Sequence, residues 1–213
     1  MKAKNLFSSG IFYKRKHPLL LILLIFVLFL LSSVSYGSSD IQPGKLTDGQ
    51  KVFVRDNPGL HVEWNANEGV PYSIRGLSKT VQGDRVKAII NYLNEIKAIF
   101  KITEAASEMT FKKVDKDDLG FEHHRFHQVY RGIKVANGEI IVQVNDRSQI
   151  TQINGQYYPE ISIPLNTSLT GYDALSKVVK DFEGKPNFRV EKEPELVIYP
   201  QGLSNQGVCE LAF

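Results

Sequence analysis

The chain has 213 residues, of which 42% are hydrophobic and 23% charged, proportions ordinary for a folded protein, so extended disorder is excluded and there is room for one or two small domains. Its 26 basic and 23 acidic residues give a formal net charge of +3, but Lys2, Lys4, Lys14, Arg15 and Lys16 precede the first acid, Asp40, and without those five the balance is 21 against 23, a net of −2. The basic character belongs to the N-terminus and gives no support for nucleic-acid binding.

The N-terminal basic cluster is followed by "LLLILLIFVLFLL", thirteen apolar residues at Leu19–Leu31, and then by the small residues "SSVSYGSS". A basic leader, a short apolar run and a small-residue exit describe a secretory signal peptide over residues 1–37, with cleavage near Gly37. Thirteen helical residues cover about 20 Å, short of the roughly 30 Å hydrocarbon core of a bilayer. The expected location is therefore secreted, extracellular or periplasmic. The alternative is membrane anchoring by an uncleaved leader, the chain's one expected membrane contact. Cys209 is the only cysteine, so no internal disulfide is possible, and the alternation of "VCELAF" marks it as a buried structural thiol on the face of Leu211 and Phe213.

Residues 38–68, rich in Gly, Pro, Asp and Ser without a clear period, read as a poorly ordered lead-in. A short strand is predicted over Gly69–Ser78. From Asp84, a plausible N-cap, Val86, Ile89, Ile90, Leu93, Ile96 and Phe100 form one apolar stripe, which predicts a helix ending near Ile102. A strand at Phe111–Val114, an acidic turn at Asp115–Gly120, and strands at Phe121–Tyr130, Glu139–Asn145 and Gln149–Gly155 predict an antiparallel meander. A second helix is predicted after Thr170 and Asp173, which have capping-box spacing, with Leu175, Val178, Val179 and Phe182 as its apolar stripe. "EGKPNF" ends it, and "ELVIYP" and "GVCELAF" read as two strands around "QGLSNQG". Helix followed by antiparallel strands thus occurs twice, an α+β arrangement of two small modules, each a helix on an antiparallel sheet.

The stretch "GFEHHRFHQVYRG" at 120–132 holds His123, His124 and His127, with the H-x-x-x-H spacing of zinc sites but no glutamate between them. On a helix, positions i and i+4 share a face and chelate one ion. On a strand they lie about 13 Å apart and His124 faces the other way. Phe121, Phe126, Val129 and Tyr130 favour the strand, so the expectation is no metal here. No nucleophile elbow, phosphate loop, dinucleotide fingerprint or paired C-x-x-C supplies another catalytic arrangement, and no catalytic residue is assigned.

"DDLGFEHHRFHQVYRGIKVANGEIIVQVN" (Asp117–Asn145) and "INGQYYP" (Ile153–Pro159) resemble the FTP module in the propeptides of secreted thermolysin- and fungalysin-type zinc metallopeptidases. The matching residues are Asp117, Leu119, Gly120, Gln128, Tyr130, Gly132, Val135, Gly138, Ile140–Val144 and Asn154–Gly155. Val70–Gly76 and the helix from Asp84 look like the front of such a region, and Thr170–Phe213 is similar to a PepSY domain. The resemblance implies an FTP-like module over 69–164 and an incomplete PepSY-like module over 165–213, both cystatin-like. It implies a noncatalytic propeptide region that serves as intramolecular chaperone and inhibitor of a metallopeptidase catalytic domain expected beyond Phe213. Zinc, with calcium as a further candidate, is expected only in that domain. A stand-alone secreted protein acting on a peptidase in trans is the alternative. Exposed sheet faces and edges are the expected contact surface, with Arg125, Gln128, Tyr130 and Arg131 as its polar part.

Overall fold

A computed structural model describes residues 46–182, 190, 192–201 and 209–213. The expected signal segment, the stretch 183–188 and most of the turn 201–207 lie outside the described residues.

The expected lead-in is structured from residue 46 onward. Helix α1 (Asp48–Asp56) opens on a reciprocal capping box. Thr47 Oγ1 accepts the Gln50 amide at 3.3 Å, and Gln50 Oε1 accepts the Thr47 amide at 2.9 Å. The same Gln50 is fully buried, and its Nε2 donates to the carbonyls of Gly69 at 2.7 Å and Ile99 at 3.0 Å. One side chain therefore caps a helix and ties it to two distant pieces of backbone. Strand β1 (His61–Asn65) follows and pairs with β2 (Val70–Thr80).

The amphipathic stripe from Asp84 forms α2 (Arg85–Glu95), with Asp84 capping through the Lys87 amide at 3.1 Å. The predicted single helix breaks at Ile96 and continues as the short α3 (Lys97–Phe100), which ends where Lys101 adopts a left-handed conformation. The turn of helix α4 (Ala105–Glu108) leads into β3 (Met109–Lys116), β4 (Glu122–Tyr130), β5 (Ile133–Val144) and β6 (Gln149–Gln156). These four strands are the predicted meander. β5 begins six residues before the predicted start because only Arg131 and Gly132 separate it from β4, both at positive φ, as a tight two-residue hairpin requires.

Among the described residues, eight strands form one sheet in the order β1-β2-β6-β5-β4-β3. The remaining two are β7 (Val197–Pro200) and β8 (Cys209–Ala212), paired antiparallel. One sheet face carries the core. Ile89 and Leu93 of α2 are wholly buried against a layer that includes Ile74, Phe126, Val142 and Ile153. Each such burial contributes about 1.5–3 kcal/mol, so this face is the main source of stability.

The C-terminal elements differ from the expected second module. Helix α5 (Gly171–Phe182) has its predicted cap, with Thr170 N donating to Asp173 Oδ2 at 2.9 Å and Asp173 N donating to Thr170 Oγ1 at 3.2 Å. Yet it buries no residue, and Val178 and Val179 of its apolar stripe are 46% and 39% exposed. Nor does the hairpin form a sheet of its own. β7 pairs in parallel with the start of β5, Lys134 opposite Val197 and Val135 opposite Ile198, and Ile198 is fully buried. Strands of four residues offer too little surface to cover a three-turn helix, so the hairpin adds to the larger sheet instead. Cys209 is half-buried rather than buried, and burial, then the nearby Glu68 carboxylate, raises its thiol above the ordinary range.

Replacing Gln50 with Ala removes the side-chain half of the capping box and takes the amide donor from the Gly69 and Ile99 carbonyls. The expected loss is about 2–3 kcal/mol, read as a lower urea midpoint at unchanged slope.

Candidate docking site

The three clustered histidines lie on β4, paired on one side with β3 and on the other with β5. Burial alternates along the strand: His124, Phe126 and Gln128 are buried, and Arg125 and His127 between them are not. Each imidazole faces a different carboxylate. His123 Nε2 lies 2.9 Å from Asp117, His124 Nε2 3.0 Å from Glu122, and His127 Nδ1 4.0 Å from Glu139. Among the described residues no three His, Cys, Asp or Glu side chains group to hold a metal.

The four residues expected to form the polar contact surface separate into two places. Arg125 lies with His127 on the outward side of β4, where Nε donates to Asp115 Oδ2 at 3.0 Å and an Nη donates to Glu139 Oε1 at 2.8 Å. Lys113 at 3.0 Å from Asp115 and Lys112 at 2.7 Å from Glu139 complete an alternating row of charge across β3, β4 and β5. The row perturbs its members. Hydrogen bonds from Lys113 and then Arg125 hold Asp115 below the usual carboxylate range. Burial pushes Glu139 up, but hydrogen bonds from Lys112 and Arg125 outweigh it and leave the group lowered. Burial, then Lys112 and Lys134, lowers His127 below an ordinary imidazole.

Gln128, Tyr130 and Arg131 instead meet at the end of β4, around a cavity of about 310 Å³. Gln128 is buried and behaves as a stretch of backbone. Its Nε2 donates to the Tyr158 carbonyl at 2.6 Å and its Oε1 accepts the Tyr158 amide at 2.9 Å. The amide thus pins the chain as it leaves β6. Gly138 makes room for it, since a Cβ there would come within 2.9 Å of Gln128 Cβ and Oε1. Gly155 is forced in the same way: at φ +135° its Cβ would lie 2.0 Å from the Glu139 carbonyl oxygen. Arg131, at φ +49°, occupies a left-handed position that costs a non-glycine residue about 1 kcal/mol, and its guanidinium stands 5.2 Å over the Tyr130 ring.

The rest of the wall comes from residues outside the expected set. Tyr157 OH donates to Glu108, whose other oxygen accepts the amides of Thr103 at 2.9 Å and Glu104 at 3.0 Å. Burial, then the hydrogen bond to Glu108, raises Tyr157 far above an ordinary phenol. Lys101 reaches to within 3.8 Å of Glu160. Tyr157 and Tyr158 fall in the singled-out "INGQYYP". Lys101 and Glu108 carry no sequence signal, because only the close packing of α3, α4 and β4 brings them there.

Residues 107–157 match the Fungalysin/Thermolysin Propeptide Motif. The matched span covers β3 through β6 and the cavity wall as far as Tyr157. The chain is 25% identical to bacillolysin of Brevibacillus brevis over 165 residues, 70% of this chain and 29% of that protein. It is 26% identical to thermolysin of Alicyclobacillus acidocaldarius subsp. acidocaldarius over 151 residues, 65% of this chain and 27% of that protein. It is 29% identical to bacillolysin of Bacillus amyloliquefaciens over 104 residues, 47% of this chain and 19% of that protein. The chain therefore spans less than a third of the length of these curated relatives. Together the motif and the relatives support a thermolysin-type propeptide region.

Two outcomes follow from this geometry. Replacing Gln128 with Ala strands the Tyr158 amide and carbonyl and opens a hole beneath Gly138, with an expected loss of about 2–3 kcal/mol in chemical denaturation. In a thermal titration against pH, depressed His127 contributes stability that is present above about 6.5 and lost as pH falls through its lower folded value. Depressed Asp115 and Glu139 contribute stability present above about 4.3 and lost as pH falls through theirs. The melting temperature should then decline in two stages, and His127→Gln should abolish the upper one.

Proposed function

We propose that this chain acts as the noncatalytic propeptide region of a secreted zinc metallopeptidase precursor, assisting the folding of the peptidase domain and holding it inactive until cleavage. In this reading residues 165–213 are the PepSY-like part and the apolar leader directs export. The observation that carries it is the coincidence of the propeptide motif with the meander itself. Gln128, Gly138 and Gly155, singled out by the resemblance, occupy the points where that meander is clamped or pinched.

The physics suits a tethered, catalytically silent partner. A module joined to its target by a short flexible linker acts at millimolar effective concentration, so modest contacts suffice. It stabilises the target by binding the native state in preference to the unfolded one. Such a module needs a rigid surface and no reactive group, and a sheet with one buried face and one ion-paired face provides that. Zinc belongs, in this reading, to the peptidase domain.

The test uses the full chain and a thermolysin-type catalytic domain. Added to acid-unfolded catalytic domain as it is returned to neutral pH, the chain should raise the yield of native enzyme several-fold, scored after the chain is digested away. Added to native enzyme, it should inhibit peptide hydrolysis in a saturable manner. No gain in yield together with no inhibition would overturn the proposal.

A further inference from the structure

The cavity at the end of β4 carries an unspent positive charge. Its acids are already committed: Glu108 accepts from Tyr157 and two main-chain amides, and Glu160 faces Lys101. Of the other described arginines, Arg55, Arg75, Arg85 and Arg125 each sit against a carboxylate, and Arg147 is exposed in the β5–β6 turn, outside the cavity lining. Arg131 has no ion pair among the described residues; it is exposed, and its planar group lies over the Tyr130 ring. It also holds a backbone position for which Asn or Gly is the comfortable choice, so the turn gains nothing from it. An arginine kept where local stability favours another residue, unpaired and beside a cavity, is placed for a ligand outside the chain.

Resting on the propeptide reading, we propose that Arg131 and the adjoining cavity receive an acidic segment of the peptidase domain, its carboxylate held by the guanidinium fork and a neighbouring apolar side chain lodged against Tyr130, Val129 and Ile161. Charge and shape agree on this occupant. The free group is a cation with bidentate geometry, and the protein side chain that matches it is a carboxylate. Tyr130 beneath it restricts its motion, so less freedom is lost on binding. The cavity of about 310 Å³ is lined by tyrosine rings and aliphatic groups as well as charge, and is sized for one large side chain rather than an extended ligand. Arg125 is unsuited to this task because both sides of its guanidinium are already taken.

The experiment compares the full chain with Arg131→Asn, Arg131→Lys and Arg147→Gln in inhibition of a thermolysin-type catalytic domain, each variant first melted to confirm folding. Arg131→Asn should melt at or above the wild-type temperature, because Asn accepts positive φ, and yet inhibit at least tenfold less well. Arg131→Lys should recover only part of the loss, and Arg147→Gln, an exposed position in the β5–β6 turn away from the cavity, should inhibit within about twofold of wild type. Raising salt from 50 to 500 mM should weaken the wild type more than Arg131→Asn. If Arg131→Asn inhibits as well as the wild type, the docking site is refuted while the propeptide reading stands. If the wild type itself neither inhibits nor assists refolding, both fall together.

Discussion

β5 is the strand on which the rest of the molecule depends. It hydrogen-bonds β4 along one side, and β6 and then β7 along the other. It can serve two neighbours on one edge because it outlasts β6: Glu139–Val144 pairs with β6, and Lys134–Val135 remains for β7. A backbone edge left open would be a template for aggregation, and here a later part of the same chain covers it. The other requirement is close approach at Gly155, where no side chain fits against the Glu139 carbonyl. Without that contact β6 would not follow β5, and the Tyr158 backbone would not reach Gln128.

The two sides of the meander do different work. The inward side of β4 and β5 supplies Phe126, Ile140, Val142 and Val144 to a core shared with α2. The outward side is an alternating row of Lys, Asp, Arg and Glu that satisfies itself. An exposed row of this kind adds little net stability, because water competes for every pair. It does keep a broad surface soluble and lightly charged. At the end of β4, by contrast, the Arg131 guanidinium has no ion pair among the described residues, and three of the four anticipated contact residues gather there.

Much of this was legible in the sequence and some was not, for identifiable reasons. α2 was visible because Ile89, Leu93, Ile96 and Phe100 recur at helical spacing and because Asp84 can cap. The strand character of the histidine segment followed from its aromatic and β-branched neighbours. α1 was missed because its apolar residues do not form a core stripe, with Val52 and Val54 exposed. The signal present was the Thr47–Gln50 pair, a capping box lacking the hydrophobic run that normally follows it. Arg125 and Gln128 were both expected at a contact surface, and composition cannot tell a solvated polar residue from one spent inside. Gln128 finds its partner thirty positions away in main chain, a contact with no sequence pattern. The parallel union of β7 with β5 was hidden for the same reason, since hairpin signals report the local pair and not the strand it joins.

The seam between β5 and β7 is only two residue pairs long, reinforced by the Lys134–Glu195 ion pair at 3.2 Å and the buried Ile198. A join so narrow is much weaker than the long antiparallel ladders on the other edges. Amide protons of Val197 and Ile198 will therefore trade with deuterium ahead of those in β4 and β6, and the hairpin will peel away from the sheet while the meander stays closed. The two-pair seam is thus the part of the sheet that costs least to open, while the clamp around Gln128 holds fast.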